Sequence, residues 1–261
     1  MADQPVVAAR FPVAAYLYVL HLDGPALAWE YLRRHPDYQA DWRRRRRRSE
    51  AARPWGLRLF EDPTRDARDA HPLWFPSDPA IMQLHPDADP MLDGPVFDLW
   101  RMPGRKWLIH DGLRLRMTVG WPGICLRLVL ASGLAAGQAY VCAVRAASYR
   151  TGQAWMKAVA QRDLDPPLAQ TSPRPTAAQL LELHTLQALD VSLSGASLRE
   201  VAGVVFGADT VATQWHADSA LRARVRRLVR RGRALMGGGY RRLAQLPPLE
   251  QGRSTAPAQR P

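Results

Sequence analysis

The spacing of apolar residues divides the chain into a helical start, an irregular stretch, a β-rich middle and a helical end. Residues 24–38 place Leu27, Tyr31 and Leu32 on one face of a helix. Prolines and aspartates are frequent over residues 62–95, where they prevent any long regular element. This pattern predicts an irregular helical N-terminal module that passes into a loop-rich connection.

Four short runs rich in Leu, Val and Ile follow, separated by Asp-Gly, Trp-Pro-Gly and Ser-Gly turn signals. They occupy residues 107–110, 113–119, 124–130 and 138–144. Within the second run, residues 113–117 alternate strictly between apolar and basic, which is typical of a strand with one solvated face. We therefore predict a small antiparallel sheet.

Helical periodicity returns after the sheet. The predicted helices span residues 146–161, a segment capped by Thr176 that ends near Leu193, and residues 197–206 and 218–236. The last three helices follow the order of a helix-turn-helix, although the segment between the final two is longer than the tight version. The fold class predicted from these elements is α+β, with a C-terminal helical bundle that contains a helix-turn-helix-like DNA-binding unit.

The predicted division of the chain follows these changes of texture. Residues 1–95 form the N-terminal module, and residues 96–246 combine the sheet with the C-terminal helical domain. Residues 247–261 are expected to be a flexible tail, since the segment is short and polar.

Charge is unevenly distributed along the chain. The formal net charge is +12, from 36 basic and 24 acidic residues. Residues 33–58 hold ten arginines against three acidic residues, and residues 199–242 hold the same numbers, whereas residues 59–198 sum to −1. Two concentrated basic patches on a nearly neutral body favour docking onto a polyanion.

The last predicted helix has the clearer pattern of the two. Its apolar residues lie within an arc of roughly 120°, and arginines cover the opposite face. From Ser219 to Arg242 there are nine arginines and no acidic residue. Like charges at i,i+4 repel, and a bound polyanion would reduce the repulsion between the arginines of this face. We interpret it as a DNA-binding face; an RNA or membrane surface and a merely solvated face are the alternatives. The predicted DNA-binding residues are Ser219, Arg222, Arg224, Arg226, Arg227, Arg230, Arg231, Arg233, Tyr240, Arg241 and Arg242.

A run of six arginines forms the centre of the first basic patch. Two interpretations stay open for it, a solvated charged loop and an auxiliary DNA contact. The residues concerned are Arg43, Arg44, Arg45, Arg46, Arg47 and Arg48.

Motifs that would indicate an enzyme are absent from the sequence. There is no phosphate-binding glycine loop, no His-Glu-x-x-His and no Gly-x-Ser-x-Gly, and two cysteines cannot supply a four-ligand zinc site. The densest acidic cluster comprises Asp87, Asp89 and Asp93, but it lacks the further ligands of a calcium loop. We therefore predict no enzymatic activity, no cofactor and no metal. A metal-dependent nuclease built on these aspartates is the rival interpretation.

The sequence predicts a cytoplasmic protein without a membrane partner. The N-terminal segment lacks the basic region and cleavage site of a signal peptide. The longest charge-free apolar run, between Arg127 and Arg145, has 17 residues. A membrane-spanning helix needs about 20.

Two stretches resemble known families. Residues 195–207 (GASLREVAGVVFG), Trp215 and residues 221–243 (LRARVRRLVRRGRALMGGGYRRL) resemble the RovC-like DNA-binding domain of proteobacterial transcription factors. Residues 29–38 (WEYLRRHPDY), together with Trp42 and the motifs WGL, FEDP and PLW that follow, resemble the transcriptional regulator-like domain often fused to it.

The resemblance implies a sequence-specific transcriptional regulator, and specifically an activator. Relatives with this pairing are often carried on integrative and conjugative elements, and others control secretion operons. It also implies that the helix after Ser197 is scaffold and that the arginines of the next helix face double-stranded DNA. Self-association is expected, with RNA polymerase or an anti-activator protein as further partners. The alternative is a non-enzymatic interaction module that docks on an acidic partner regulator.

Overall fold

The computed structural model describes residues 10–45, 48–75, 81–92, 94–102, 104–110, 112, 114–121, 124–144 and 174–247. The predicted helix over residues 146–161 lies outside this set, as does the predicted tail except for its first residue. The described elements are α+β, as predicted: helices at both ends and a five-stranded sheet between them.

The N-terminal module begins with a 3-10 helix, Val13–His21, followed by α1 (Gly24–Leu32), α2 (Pro36–Arg45) and a second 3-10 helix, Ser49–Trp55. The single helix predicted over residues 24–38 is therefore two helices. Pro36 explains the break between the two helices. A proline disfavours the α conformation in the residue before it and is well suited to the first turn of a helix.

The sheet contains β1 (Met82–Pro86), β2 (Arg105–His110), β3 (Leu115–Trp121), β4 (Ile124–Leu130) and β5 (Tyr140–Ala143), in the order β2-β3-β4-β1-β5. The prediction of an antiparallel sheet was wrong in one respect, since β1 runs parallel to β4.

Strand β1 lies in the segment predicted to be irregular. Met82 and Leu84 are fully buried and alternate with less buried residues, and Pro86 ends the strand. The frequent prolines prevent a long regular element in this segment, but a strand needs only about five residues and fits between them.

The C-terminal helices are α3 (Ala177–Leu193), α4 (Leu198–Phe206), α5 (Ala208–Gln214), α6 (Ala220–Ala234) and α7 (Tyr240–Leu243). Thr176 and Ser197 cap α3 and α4 as predicted, and each forms a reciprocal capping box with the residue three positions later. A π turn, Leu235–Gly239, separates α6 from α7, and Gly238 adopts a φ of 130° there.

Helix α5 corrects the predicted turn between α4 and α6. The segment expected to be a long turn is helical over seven residues, and Val211 packs into the core shared by α3, α4 and α6. Among the described residues, α3, α4, α5 and α6 thus share one core, and a helix-turn-helix geometry among them stays a prediction.

The N-terminal module shares its core with the C-terminal helices. Trp29, Tyr31 and Trp74 pack in one cluster with Leu186 of α3 and Tyr240 of α7. The sheet has a separate core. The predicted boundary at residues 95 and 96 stays a prediction.

A buried ionic network joins the same two parts of the chain. Arg34 donates to Glu30, which belongs to the same N-terminal module, at 2.5 Å. It also donates to Asp190 of α3 at 2.5 Å. Tyr16 donates its hydroxyl proton to Asp190 at 2.8 Å. Burial and the neighbouring Asp190 raise the pKa of Tyr16, so this hydroxyl stays a donor.

Helices α3 and α6 cross closely at Gly232, and this contact gives a first testable prediction. A Cβ at Gly232 would lie 2.9 Å from the Leu189 Cβ and 3.3 Å from the Thr185 carbonyl oxygen. We expect Gly232→Ala to lower the free energy of unfolding by about 1 to 3 kcal/mol through overpacking. Chemical denaturation measures the change.

Gly203 in α4 is the matched control, because nothing lies within 4 Å of a Cβ built there. Gly203→Ala should raise the free energy of unfolding by up to about 1 kcal/mol, the ordinary helix-propensity gain. Equal effects of the two substitutions would contradict the close crossing.

Candidate nucleic-acid interface

Helix α6 is held in place by its apolar face. Leu221, Val225, Leu228 and Val229 are buried in the cluster that α3, α4 and α5 complete. The Ser219 hydroxyl accepts a hydrogen bond from the Arg222 backbone at 3.1 Å and so caps the helix. Packing and capping together fix the orientation of the opposite face.

The opposite face is basic and exposed. At about 100° per residue, Arg230 lies nearly opposite the centre of the buried stripe, with Arg226 and Arg227 on either side of it. Five arginines of the helix are exposed: Arg224, Arg226, Arg227, Arg230 and Arg233. Since α6 itself contains no acidic residue, the helix has no internal counter-charge for them.

Three predicted site residues are turned towards the protein instead. Ser219 is 6% exposed, Tyr240 is 2% exposed and Arg241 is 8% exposed. Tyr240 donates its hydroxyl proton to the Trp55 carbonyl at 3.1 Å, and Arg241 donates to the carbonyls of Pro54 and Pro247. Tyr240 and Arg241 thus tie the C-terminal helices to the N-terminal module, and the Ser219 hydroxyl caps α6, so we leave all three out of the proposed interface. Arg242, next in the chain, is exposed.

Arg231 forms an ion pair that the sequence does not reveal. Its guanidinium donates to Glu182 of α3, which also accepts a hydrogen bond from the Tyr31 hydroxyl at 2.9 Å. The partner lies 49 positions away in the chain, so no i,i+4 rule could find it. Arg231 is therefore partly neutralised within the protein, and it belongs to the edge of the basic face.

Two further arginines of α6 are oriented by neighbouring groups. Arg224 lies over the ring of Phe206, with 4.7 Å from its guanidinium carbon to the ring centroid. Arg233 donates to the Ser192 hydroxyl at 2.9 Å. Both contacts restrict the rotamers of these long side chains in the free protein. The side chains therefore lose less conformational entropy when a ligand binds. The sequence shows Phe206 only as an aromatic residue at the end of a predicted helix, and it does not reveal the cation–π contact with Arg224.

His184 lies beside this cation–π pair. Its ring centroid is 5.8 Å from that of Phe206. Burial and the nearby Arg224 lower the pKa of His184, so the imidazole is neutral at neutral pH. The histidine therefore adds no charge to the face.

The first basic patch is only partly described. Arg43, Arg44 and Arg45 end α2 and are exposed, and Arg48 is exposed as well. Arg45 approaches Asp41 at 3.8 Å, a surface contact of little energetic weight. Arg46 and Arg47 lie outside the described residues. Whether this patch touches DNA stays open.

The acidic cluster gains no support as a metal site. Among the described residues, no group of three or more His, Cys, Asp or Glu could hold a metal ion. Asp87 accepts a hydrogen bond from the Asp89 backbone at 3.1 Å, which is a turn contact, and Asp93 lies outside the described set. Of the helices described, none has the length and apolar character to cross a membrane.

A rigidly packed helix with an exposed face of arginines and no carboxylate of its own is typical of a protein that binds nucleic acid. Comparison with family models makes the class specific. Residues 142–245 match the model described as "T6SS, Transcription factor, DNA binding domain", and residues 13–59 match the proteobacterial transcriptional regulator-like domain. Both resemblances are confirmed, in the predicted order, and mark the chain as a DNA-binding transcription regulator.

Residues 79–126 match a third model, a domain of unknown function (DUF7011). This match covers β1 to β3 and the start of β4. The two models with a described function name regulation and DNA binding, and neither names catalysis. No curated protein matches the chain.

Proposed function

We propose that the protein is a sequence-specific transcription activator whose helix α6 enters the major groove of DNA. The observation that supports this most is the outer face of α6, where Arg226, Arg227 and Arg230 are exposed side by side. The buried stripe of the same helix leaves only this face available to a ligand.

The geometry suits duplex DNA. The major groove accepts an α-helix, and arginine donates two parallel hydrogen bonds to the edge of guanine. In this proposal the arginines at the centre of the face read bases. Arg222, Arg224 and Arg233 at its margins, and Arg242 in α7, hold phosphates. Sequence is then read by few residues and affinity is supplied by many.

The proposal extends to the regulated genes and partners. The matched DNA-binding domain is described for a secretion-system transcription factor, which supports an operon of that kind or genes of an integrative and conjugative element as targets. Since regulators commonly bind paired half-sites, the protein self-associates on DNA. The N-terminal module, residues 1–95, then faces RNA polymerase or an anti-activator. Because the DNA target is bacterial, the protein acts in the cytoplasm.

Footprinting on the DNA upstream of the protein's own gene, and genome-wide mapping of bound sites, test the proposal. A bounded protected site is expected, with transcription of the adjacent gene rising when the protein is present. The rival hypothesis, an interaction module that docks on an acidic partner regulator, predicts no protection of DNA by the protein alone. Repeating the footprint with such a partner added tests that hypothesis. Uniform protection along the fragment would contradict sequence-specific reading.

The affinity should fall steeply with salt. If about six phosphates are engaged, the slope of log affinity against log salt concentration is near −5, because each contact releases about 0.9 counterions. A titration by fluorescence anisotropy between low and physiological salt measures it. A slope near zero would contradict the electrostatic basis of binding.

A further inference from the structure

The first basic patch and the basic face of α6 are far apart in the sequence, but the elements that carry them touch in the fold. Helix α7, which follows α6 in the chain, packs against the second 3-10 helix, Ser49–Trp55. Tyr240 donates to the Trp55 carbonyl at 3.1 Å, and Arg241 donates to the Pro54 carbonyl at 3.2 Å. These contacts join residues that are 185 and 187 positions apart.

Trp55 also connects this junction to the arginines of the first basic patch. Its indole N–H donates to Asp41 of α2 at 3.1 Å. The last turn of the same helix consists of Arg43, Arg44 and Arg45. The end of α6 and α7 therefore lies on one side of Trp55, and the end of α2 lies on the other.

The junction is closely packed. Gly56 has a φ of 76°, and a Cβ there would lie 2.5 Å from Cδ1 of Leu246 and 3.2 Å from a guanidinium nitrogen of Arg241. Leu246 is buried in the same core as Ala52 and Leu57 of the N-terminal module. Packing of this density fixes the position of the two basic surfaces relative to each other.

Exposed arginines flank the junction on both sides. Arg241, which lies between them, is oriented by main-chain carbonyl oxygens, and a carbonyl oxygen leaves the charge of a guanidinium in place. A polyanion bound across the junction would offset the repulsion between these cations. This placement favours a DNA contact over a solvated loop for the first basic patch. The exposed arginines are Arg43, Arg44, Arg45, Arg48 and Arg53 on one side and Arg233 and Arg242 on the other.

The length of α6 indicates which part of a duplex these arginines would meet. The helix has 15 residues and is about 22 Å long, whereas the major groove is about 12 Å wide. In the proposed complex, the surface beyond the end of the helix therefore faces the sugar–phosphate backbone. Arginine holds phosphates by charge and paired hydrogen bonds, whatever the base sequence.

We propose that the first basic patch and the basic face of α6 form one continuous surface that holds a single DNA duplex. Helix α6 reads the major groove, and Arg43, Arg44 and Arg48 hold the phosphates that flank the groove beside the C-terminal end of α6. This inference rests on the proposed function of α6. It gives the N-terminal module a direct part in DNA binding and makes the contacted site longer on one side of each α6.

Ethylation interference on the bound site tests the inference, because it maps each phosphate whose modification weakens binding. For the unsubstituted protein we expect interference around the groove contact and at a further group of phosphates on one side of it. In the variant Arg43→Ala/Arg44→Ala/Arg48→Ala, the interference at this further group should disappear while that around the groove stays. The same pattern in both proteins would overturn the inference.

Methylphosphonate linkages at the further group of phosphates give the quantitative test, since they remove the charge and keep the duplex intact. They should lower the salt slope of the unsubstituted protein by up to about 2.7, at about 0.9 for each of three phosphates. The triple variant should bind the neutralised and the ordinary duplex with the same slope. Equal sensitivity of the two proteins to the neutral linkages would contradict a contact by these arginines.

The control variant removes three cations from the sheet region instead. Arg101→Ala/Arg105→Ala/Lys106→Ala should keep the interference at the further group of phosphates. Its loss there as well would mean that net charge causes the effect, and would overturn the continuous surface. Circular dichroism checks that both triple variants fold.

The same experiments separate this inference from the proposed function. If the unsubstituted protein protects no bounded site, the proposed function of α6 fails, and the inference fails with it. If a bounded site is protected and the triple variant gives an unchanged pattern, only the continuous surface fails.

Discussion

Replacing Arg226 and Arg230 together by alanine should abolish specific DNA binding while leaving the fold intact. Both side chains are exposed at the centre of the outer face of α6. Each base contact by an arginine contributes about 1 to 3 kcal/mol, so affinity should fall at least about 30-fold. The thermal midpoint should stay nearly unchanged, because exposed substitutions away from special contacts have small effects. Fluorescence anisotropy and calorimetry measure the two quantities.

The control must remove the same charge elsewhere. Arg101→Ala/Arg105→Ala also loses two exposed arginines, from the sheet region, and should change affinity only through the long-range field. Equal losses in the two double variants would show that net charge, and not the α6 face, controls binding.

A third variant, Arg43→Ala/Arg44→Ala, addresses the first basic patch. Those side chains are exposed at the end of α2. If the patch is an auxiliary phosphate contact, the variant lowers the salt slope by up to about 2 and affects all sequences alike. An unchanged slope would assign the patch to a solvated charged surface.

Replacing Arg34 by alanine should produce the largest loss of stability. Arg34 is 10% exposed and lies between Glu30, which is fully buried, and Asp190 of α3. Its removal leaves the partly buried Asp190 without this cationic partner and leaves Glu30 to its ion pair with Arg33. Breaking a buried ion pair costs about 3 to 5 kcal/mol in other proteins. Urea unfolding followed by tryptophan fluorescence reports the change, since Trp29 is fully buried in the same core.

Arg101→Ala serves as the matched case for stability. Arg101 is 85% exposed and lies 3.4 Å from Asp98, so the pair is screened by water. Its loss should change the free energy of unfolding by less than about 1 kcal/mol. A comparably small loss for Arg34→Ala would contradict the view that the ionic network fastens the N-terminal module to α3.

Local signals in the sequence predicted the helix starts well. Thr176 and Ser197 each stand three positions before a residue that completes a capping box, and both caps form. The amphipathic phase of α6 was also readable, because burial of a periodic stripe depends on spacing alone. The local signals did not reveal that Ser219 caps α6 with its hydroxyl and is buried.

Elements that depend on distant partners were missed. Strand β1 is short and lies among prolines, and it is stabilised by parallel pairing with β4 and antiparallel pairing with β5. Helix α5 has few apolar residues, and it is held against the other helices by Val211, which is buried in their shared core. The alternation in β1 comprises only Met82 and Leu84, and α5 has no long apolar stripe, so each segment by itself gives only a weak signal.

The amino-acid sequence by itself determined the class of the elements, the position of the charge and the resemblance to a regulator with a DNA-binding domain, since these depend on composition and local spacing. The tertiary structure decided which charges are available. It pairs Arg231 with Glu182 and buries Arg241 against the N-terminal module, while Arg226 and Arg230 remain exposed. The reason is that an arginine's partner is set by what packs beside it, and residues far apart in the chain become neighbours only when the core forms.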